Sequence, residues 1–254
     1  MTAAAHSAVD PFTLAGRRIL VTGASSGIGA ATATLCAHLG AQIVACGRDA
    51  ARLDAVVAGL AGSGHQAILG DLTDPDARQM LVDAVAALDG CVFSAGVATL
   101  APMRMVSKRH MESLFAVNYD APVLLTQALL AKRKLAPNGS MVYVTAIAEH
   151  SAPFATGIYS GTKGALAATV RTIALEVAKF GIRANCVSPG YVATPMMDGL
   201  QAVMNGTDMM QLAPLGIIEP EDVAATIAWM LAPASRWVSR TSLTIDAGLI
   251  LHMR

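Results

Sequence analysis

Short, almost wholly apolar runs alternate along this chain with segments of helical pattern, and that alternation restricts the fold more than any other feature. The runs Arg18–Thr22, Ala41–Cys46, His65–Leu69, Gly90–Ser94, Ser140–Ala146, Arg183–Val187 and Leu243–Asp246 read as strands. Between them the pattern predicts helices over Ala30–Leu39, Ala50–Leu60, Pro75–Ala87, Ser107–Val117, Ala121–Leu135, Ile158–Phe180 and Glu221–Leu231. A strand with no polar alternation is expected where helices cover both faces of a parallel sheet. Strand and helix alternating at this period build βαβ units, so the predicted fold class is α/β, a doubly wound parallel sheet with helices on both faces.

The 254 residues carry 54% hydrophobic and 14% charged side chains, which is enough apolar material for a large core and excludes a disordered chain. No linker or short repeat interrupts the pattern. One domain over residues 1–254 is therefore expected, with residues 1–14 as an N-terminal tail. Eighteen basic and eighteen acidic residues cancel, which argues against a nucleic-acid partner, because phosphate neutralisation needs clustered Lys and Arg. Cys36, Cys46, Cys91 and Cys186 are widely spaced, and His6, His38, His65, His110 and His252 have no ligand spacing, so neither a metal nor a disulfide framework is expected. No signal-like or bilayer-length apolar run is read, so no membrane partner and a cytoplasmic location are expected.

Thr22-Gly23-Ala24-Ser25-Ser26-Gly27-Ile28-Gly29 lies directly between the first strand and the first helix. Glycines there permit a tight turn and let a pyrophosphate approach backbone N–H groups at the helix N-terminus. The octet has the TGxxxGxG spacing of the short-chain dehydrogenase/reductase family. Further matching stretches are Asp71-Leu72, Ser94-Ala95-Gly96, Asn118, Tyr159-Ser160-Gly161-Thr162-Lys163, Ser188-Pro189-Gly190 and Asp246-Ala247-Gly248. The chain resembles this family over nearly its whole length, in particular its 3-oxoacyl-ACP-reductase-like members.

The resemblance implies a Rossmann-like fold, a homotetramer or homodimer, and hydride transfer between NADP(H) or NAD(H) and a small carbonyl or alcohol. The implied cofactor-binding positions are Gly23, Ser25, Ser26, Gly27, Ile28, Gly29, Arg48, Asp71, Leu72, Ser94, Ala95, Gly96, Tyr159, Lys163, Pro189, Gly190, Val192 and Thr194. At the end of the second strand an acid binds ribose hydroxyls, whereas an arginine accommodates a 2′-phosphate. Here Gly47-Arg48-Asp49 favours NADP(H), with NAD(H) possible; Asp49 also suits a helix N-cap.

Tyr159 and Lys163 are four apart at a helix start and share one face. A neighbouring ammonium is expected to lower the phenol's pKa toward working pH. In the family, the tyrosine exchanges a proton with the substrate oxygen, the lysine holds the nicotinamide ribose, and an asparagine at the Asn118 position offers a backbone carbonyl to a water. Relatives carry a serine thirteen residues before the tyrosine; this chain has Ala146.

A donor aimed at transition-state charge is worth about 10²–10³ in rate. Three explanations stand side by side. Ser151 or His150 supplies the donor, with Thr145 facing the wrong way; the substrate needs less help; or the chain binds nucleotide with little turnover, as a sensor or structural subunit. The Pro- and Gly-interrupted stretch Ser188–Leu215, with Met196, Met197, Met204, Met209 and Met210, reads as a lid or binding loop, and methionines lining the site would imply an apolar or bulky substrate.

Overall fold

The computed structural model describes residues 10–197 and 213–252. Its strands are β1 (Arg18–Thr22), β2 (Gln42–Gly47), β3 (Gln66–Leu69), β4 (Leu88–Phe93), β5 (Leu135–Val144), β6 (Arg183–Pro189) and β7 (Ser242–Ile245). The helices are α1 (Gly27–His38), α2 (Ala50–Ala58), α3 (Pro75–Ala84), α4 (Lys108–Phe115), α5 (Ala121–Ala131), α6 (Ala148–Ser151), α7 (Gly157–Val177), α8 (Pro220–Leu231) and α9 (Leu249–His252). The seven strands form one sheet in the order β3-β2-β1-β4-β5-β6-β7, parallel throughout. The strand order reverses between β1 and β4, and their carboxyl ends open the crevice in which such sheets bind ligands.

Both faces are packed. Tyr143, Met141, Leu125 and Leu166 belong to one core cluster; Ile19, Val21, Val142 and Ile227 belong to the other. Because successive strand residues point to opposite faces, Val142 and Tyr143 serve different cores. Tyr143 stacks on Phe93 at 4.4 Å, and its hydroxyl bonds to Thr126 Oγ1 at 2.8 Å, so its polar tip is satisfied where no water reaches. The four cysteines are buried and unpaired.

Several boundaries differ from the sequence expectation. α1 begins at Gly27, so the glycine turn itself forms the first helical turn. α3 stops at Ala84 and α5 at Ala131, because Leu88 and Leu135 are fully or nearly fully buried in the sheet. Leu14, assigned to the tail, is fully buried, and its N–H donates to Leu39 O at 2.9 Å. The helices predicted near 107–117 and 121–135 form one 24-residue helix, Lys108–Ala131, joined by a π-turn over Ala116–Asp120. By length and composition alone it is long and apolar enough to cross a membrane, which the two shorter segments had concealed. Leu114, Asn118, Ala121, Leu125 and Leu129 are nevertheless buried on one stripe, the pattern of a core helix.

Candidate active site

Two cavities lie along the carboxyl ends of the strands. The first, about 610 Å³, is lined by Gly23, Ser25, Ser26, Gly27, Ile28, Gly29, Arg48, Asp71, Leu72, Ser94, Ala95, Gly96 and Thr194, all of them expected cofactor positions. The second, about 160 Å³, contains Tyr159, Lys163, Pro189, Gly190 and Val192, and shares Ile28, Ser94, Gly96, Thr194 and Met196 with the first. The shared walls make one continuous cleft. Asn118 lines neither cavity.

The first cavity has the chemistry of a pyrophosphate site. Ser26 precedes α1 without a side-chain capping bond, and no acid lies in the helix's first turn, so its leading N–H groups lack a side-chain acceptor. Gly23 adopts φ +68°, and a Cβ there would stand 2.8 Å from Ala95 Cα; a Cβ at Gly29 would collide with Gly23 O and Ser94 Oγ. Side chains are thus excluded where the turn packs against the backbone of Ser94 and Ala95, which keeps it tight. Ser94 spends its hydroxyl on Thr22 O at 2.6 Å, leaving only its backbone and small size to serve the cleft.

At the far end of this cavity, Arg48 reaches Asp71 Oδ2 at 3.5 Å. Asp71 Oδ1 accepts from Thr73 N (2.9 Å) and Thr73 Oγ1 (2.8 Å). These turn bonds, then the Arg48 guanidinium, hold its carboxyl below the usual range. Asp49 is the N-cap of α2, accepting from Arg52 N at 3.1 Å and pairing with Arg52 Nε at 2.7 Å. A Cβ at Gly47 would lie 3.3 Å from Ser25 Cβ and 3.4 Å from Leu53 Cδ1, so that strand end has little room for an acid.

The second cavity holds the reactive pair. Tyr159 and Lys163 stand one turn apart in the first turns of α7, with Lys163 Nζ 5.9 Å from the phenol ring centroid. Lys163 is buried and donates to Val144 O at 2.9 Å. Burial lowers its ammonium to about 8. The phenol shifts opposite to the sequence expectation: burial, then the negative charge of Glu149, pushes Tyr159 up to about 12. The ammonium is itself desolvated and spent on a carbonyl, and the structure adds a carboxylate that spacing could not reveal.

Glu149 is the residue that sequence reasoning missed. Its side chain is 2% exposed; Oε1 accepts from Ser242 Oγ at 2.9 Å and contacts His150 Nε2 at 2.9 Å, while Oε2 is buried without a partner among the described residues. An orphan carboxylate oxygen is costly and rare in a native fold. Only its tertiary neighbours mark it out.

Asn118 sits inside the π-turn. Its Oδ1 accepts from Val97 N at 2.9 Å, and Nδ2 donates to Val97 O (2.9 Å) and Thr162 Oγ1 (3.2 Å). The amide thereby ties the loop after β4 to α7. A Cβ at Gly96 would come within 3.3 Å of Asn118 Oδ1 and 3.5 Å of Lys163 Nζ, so that loop approaches as backbone only.

Ala146 lines the second cavity just beyond β5. The two expected substitutes do not. Ile147 begins a helical turn, so Ser151 donates back to Ile147 O at 3.0 Å, and His150 turns outward to Glu149. Thr145 is no substitute either, since its hydroxyl donates to Val187 O at 3.2 Å. Met196 and Met197 line the second cavity, whereas Met204, Met209, Met210, Gly199 and Gly206 lie outside the described residues. Among the described residues, no group of three or more His, Cys, Asp or Glu could hold a metal.

A parallel seven-stranded sheet with a glycine-lined crevice and a Tyr/Lys pair at the strand ends defines a class of nucleotide-dependent oxidoreductases, and this chain belongs to it: it is a member of the short-chain dehydrogenase/reductase family. Residues 23–250 match the family model described as enoyl-(acyl carrier protein) reductase. Cis-4-hydroxycyclohexanecarboxylate dehydrogenase of Sinomonas cyclohexanicum is 35% identical over 91% of this chain and 96% of its own. L-xylulose reductase of Mus musculus is 34% identical over 93% and 98%. A solved structure of an Agrobacterium tumefaciens protein with bound NADP superposes with a TM-score of 0.84, at 29% identity over 96% of this chain and 100% of that one.

Proposed function

We propose that this chain is an NADP(H)-dependent reductase of small carbonyl compounds, with Tyr159 as the proton donor. The observation that carries the reading is the continuous cleft, which runs from the glycine turn and Arg48 to Tyr159 and Lys163. The cradle fits a dinucleotide: N–H groups of α1 for the pyrophosphate, Arg48 for a 2′-phosphate, Lys163 for the nicotinamide ribose, and the backbone around Pro189–Thr194 beside the ring. When bound, the cofactor supplies the hydride. The protein's task is then to orient the carbonyl carbon, exclude water and deliver a proton to the carbonyl oxygen.

The Tyr159 phenol, pushed up by burial and then by Glu149, is protonated at neutral pH, the state required of a proton donor to a developing alkoxide. Asn118 positions the loop that closes over Lys163, and its place in a π-turn supports a role for its carbonyl in holding water near the ammonium. Tyr159→Phe should lower turnover at least about 100-fold, with the NADPH Kd changed less than about twofold. A folded variant with wild-type turnover would remove Tyr159 from the chemistry.

The second reading, a nucleotide-binding chain with little turnover, is favoured by Ala146 alone. It predicts NADPH binding with no NADPH oxidation across a ketone panel. As a cytoplasmic enzyme of one domain, the chain would assemble into a homotetramer or homodimer through α5 and α7. Exposed Leu124 and Leu175 on these helices, with Phe180 just beyond α7, support that interface. Light scattering on the purified protein reads the mass, and a monomer would refute the assembly.

A further inference from the structure

The cavity beside Tyr159 is one donor short where Ala146 stands, and the side chains around it narrow the candidates. Among the described residues, its hydroxyls are Ser94, Thr145, Thr156, Tyr159, Tyr191 and Thr194. Four of these donate to backbone carbonyls: Ser94 to Thr22 O (2.6 Å), Thr145 to Val187 O (3.2 Å), Thr156 to Pro153 O (2.6 Å) and Thr194 to Val192 O (3.3 Å). Tyr159 is the reacting phenol. Tyr191 remains, half-buried, with no hydroxyl bond to a described residue.

The backbone that carries Tyr191 is fixed by three hydrogen bonds to two neighbouring segments. Gly190 N donates to Ile245 O at 2.8 Å, Ile218 N to Tyr191 O at 3.2 Å, and Ala193 N to Ile218 O at 2.9 Å. The segment bearing Ala146 is bonded to the same strand, through Thr145 N to Val187 O (2.8 Å) and Ile147 N to Pro189 O (2.9 Å). Ala146 and Tyr191 are therefore both held at the carboxyl ends of the adjacent strands β5 and β6, and both line the cavity that holds Tyr159. A fixed backbone limits where the ring can swing, and a donor held near one place is the condition for strong oxyanion stabilisation.

We propose that Tyr191 is a second catalytic phenol, donating a hydrogen bond to the substrate's carbonyl oxygen in place of the serine hydroxyl absent at Ala146. The inference rests on the reductase reading above. In the reduction, the carbonyl carbon gains the hydride, the π pair of the C=O bond moves onto oxygen, and that oxygen takes the Tyr159 proton to become the alcohol. Tyr191 keeps its proton and only donates a hydrogen bond. Burial raises its phenol above the ordinary value, so it stays a neutral donor at working pH.

The two phenols would grip one oxygen within walls that include Val97, Leu100, Ile147, Val192 and Met197. Polyol hydroxyls would find few partners there among the described residues, and each buried unpaired one costs binding. The favoured substrate is thus a ketone with apolar flanks.

The test compares wild type, Tyr191→Phe, Ala146→Ser and the double variant in NADPH oxidation, using cyclohexanone and 9,10-phenanthrenequinone as probes. Tyr191→Phe removes only the hydroxyl and is expected to lower kcat about 100-fold, with KM and the NADPH Kd nearly unchanged. Ala146→Ser should recover at least about tenfold in the Tyr191→Phe background, because it restores a donor to the same oxygen. A folded Tyr191→Phe protein with wild-type kcat overturns the proposal alone. Absence of turnover in wild type overturns both this proposal and the reductase reading. A fall in kcat that Ala146→Ser does not recover assigns Tyr191 to packing and also overturns the proposal.

Discussion

Replacing Arg48 by alanine should separate NADPH from NADH recognition without touching Tyr159 or Lys163. The guanidinium stands 3.5 Å from Asp71 Oδ2 with 61% of its side chain exposed, so the pair it forms in the ligand-free protein is worth about 0–1 kcal/mol. A 2′-phosphate would draw the same group into charge-assisted hydrogen bonds worth about 1.5–3 kcal/mol. Subtracting the lost surface pair, and weighting toward the low end because the site is wet, leaves about 1–2 kcal/mol. At roughly 1.4 kcal/mol per tenfold, Arg48→Ala should weaken NADPH about 5- to 30-fold. NADH, lacking that phosphate, should move less than about twofold. Asp71 left without its cation would repel the phosphate and push in the same direction. Fluorescence titration of both cofactors into both proteins measures the ratio directly. If the NADPH-to-NADH Kd ratio is unchanged, Arg48 does not read the phosphate and the assignment of cofactor preference fails.

Two further predictions concern the buried charges. Lys163 falls from 10.5 to about 8 on burial, a penalty on its charged form of roughly 3 kcal/mol. Between about pH 8 and 10.5 the unfolded chain binds the proton that the folded one has released, so this group makes stability rise with pH across that window. Relative to wild type, Lys163→Met should be most favourable in urea melts at pH 7, and the gap should close toward about pH 10.5; a gap independent of pH would refute the burial argument. Glu149→Gln removes the charge that helps hold the Tyr159 proton, so alcohol oxidation, which needs the phenolate, should set in at lower pH. An unmoved pH profile in the folded variant would show that this carboxylate does not govern Tyr159.

The glycine-turn end of the cleft was legible because it is made of backbone and local chemistry. Gly23, Gly27 and Gly29 announce a turn that only glycine fills, and Arg48 beside Gly47 announces charge at a strand end. The Tyr159 end was only half legible. Tyr159 and Lys163 share a face by helical period alone, but the direction of the phenol's shift came from burial and from Glu149, whose sequence neighbours give no hint of its surroundings. Ser151 and His150 looked available as donors because they follow Ala146 closely. The structure winds that segment into a helical turn, where Ile147 O and Glu149 take their polar atoms.

By itself, the amino-acid sequence determined the alternation of strands and helices, the parallel sheet and the tight glycine turn between β1 and α1, since these depend on residues within a few positions of one another. The tertiary structure alone decided which cavity hydroxyls donate to backbone carbonyls, that the charge of Glu149 acts on Tyr159, and that Tyr191 shares a cavity wall with Ala146. Those outcomes depend on desolvation and on contacts between segments tens of residues apart, and only the packed sheet brings such groups within reach.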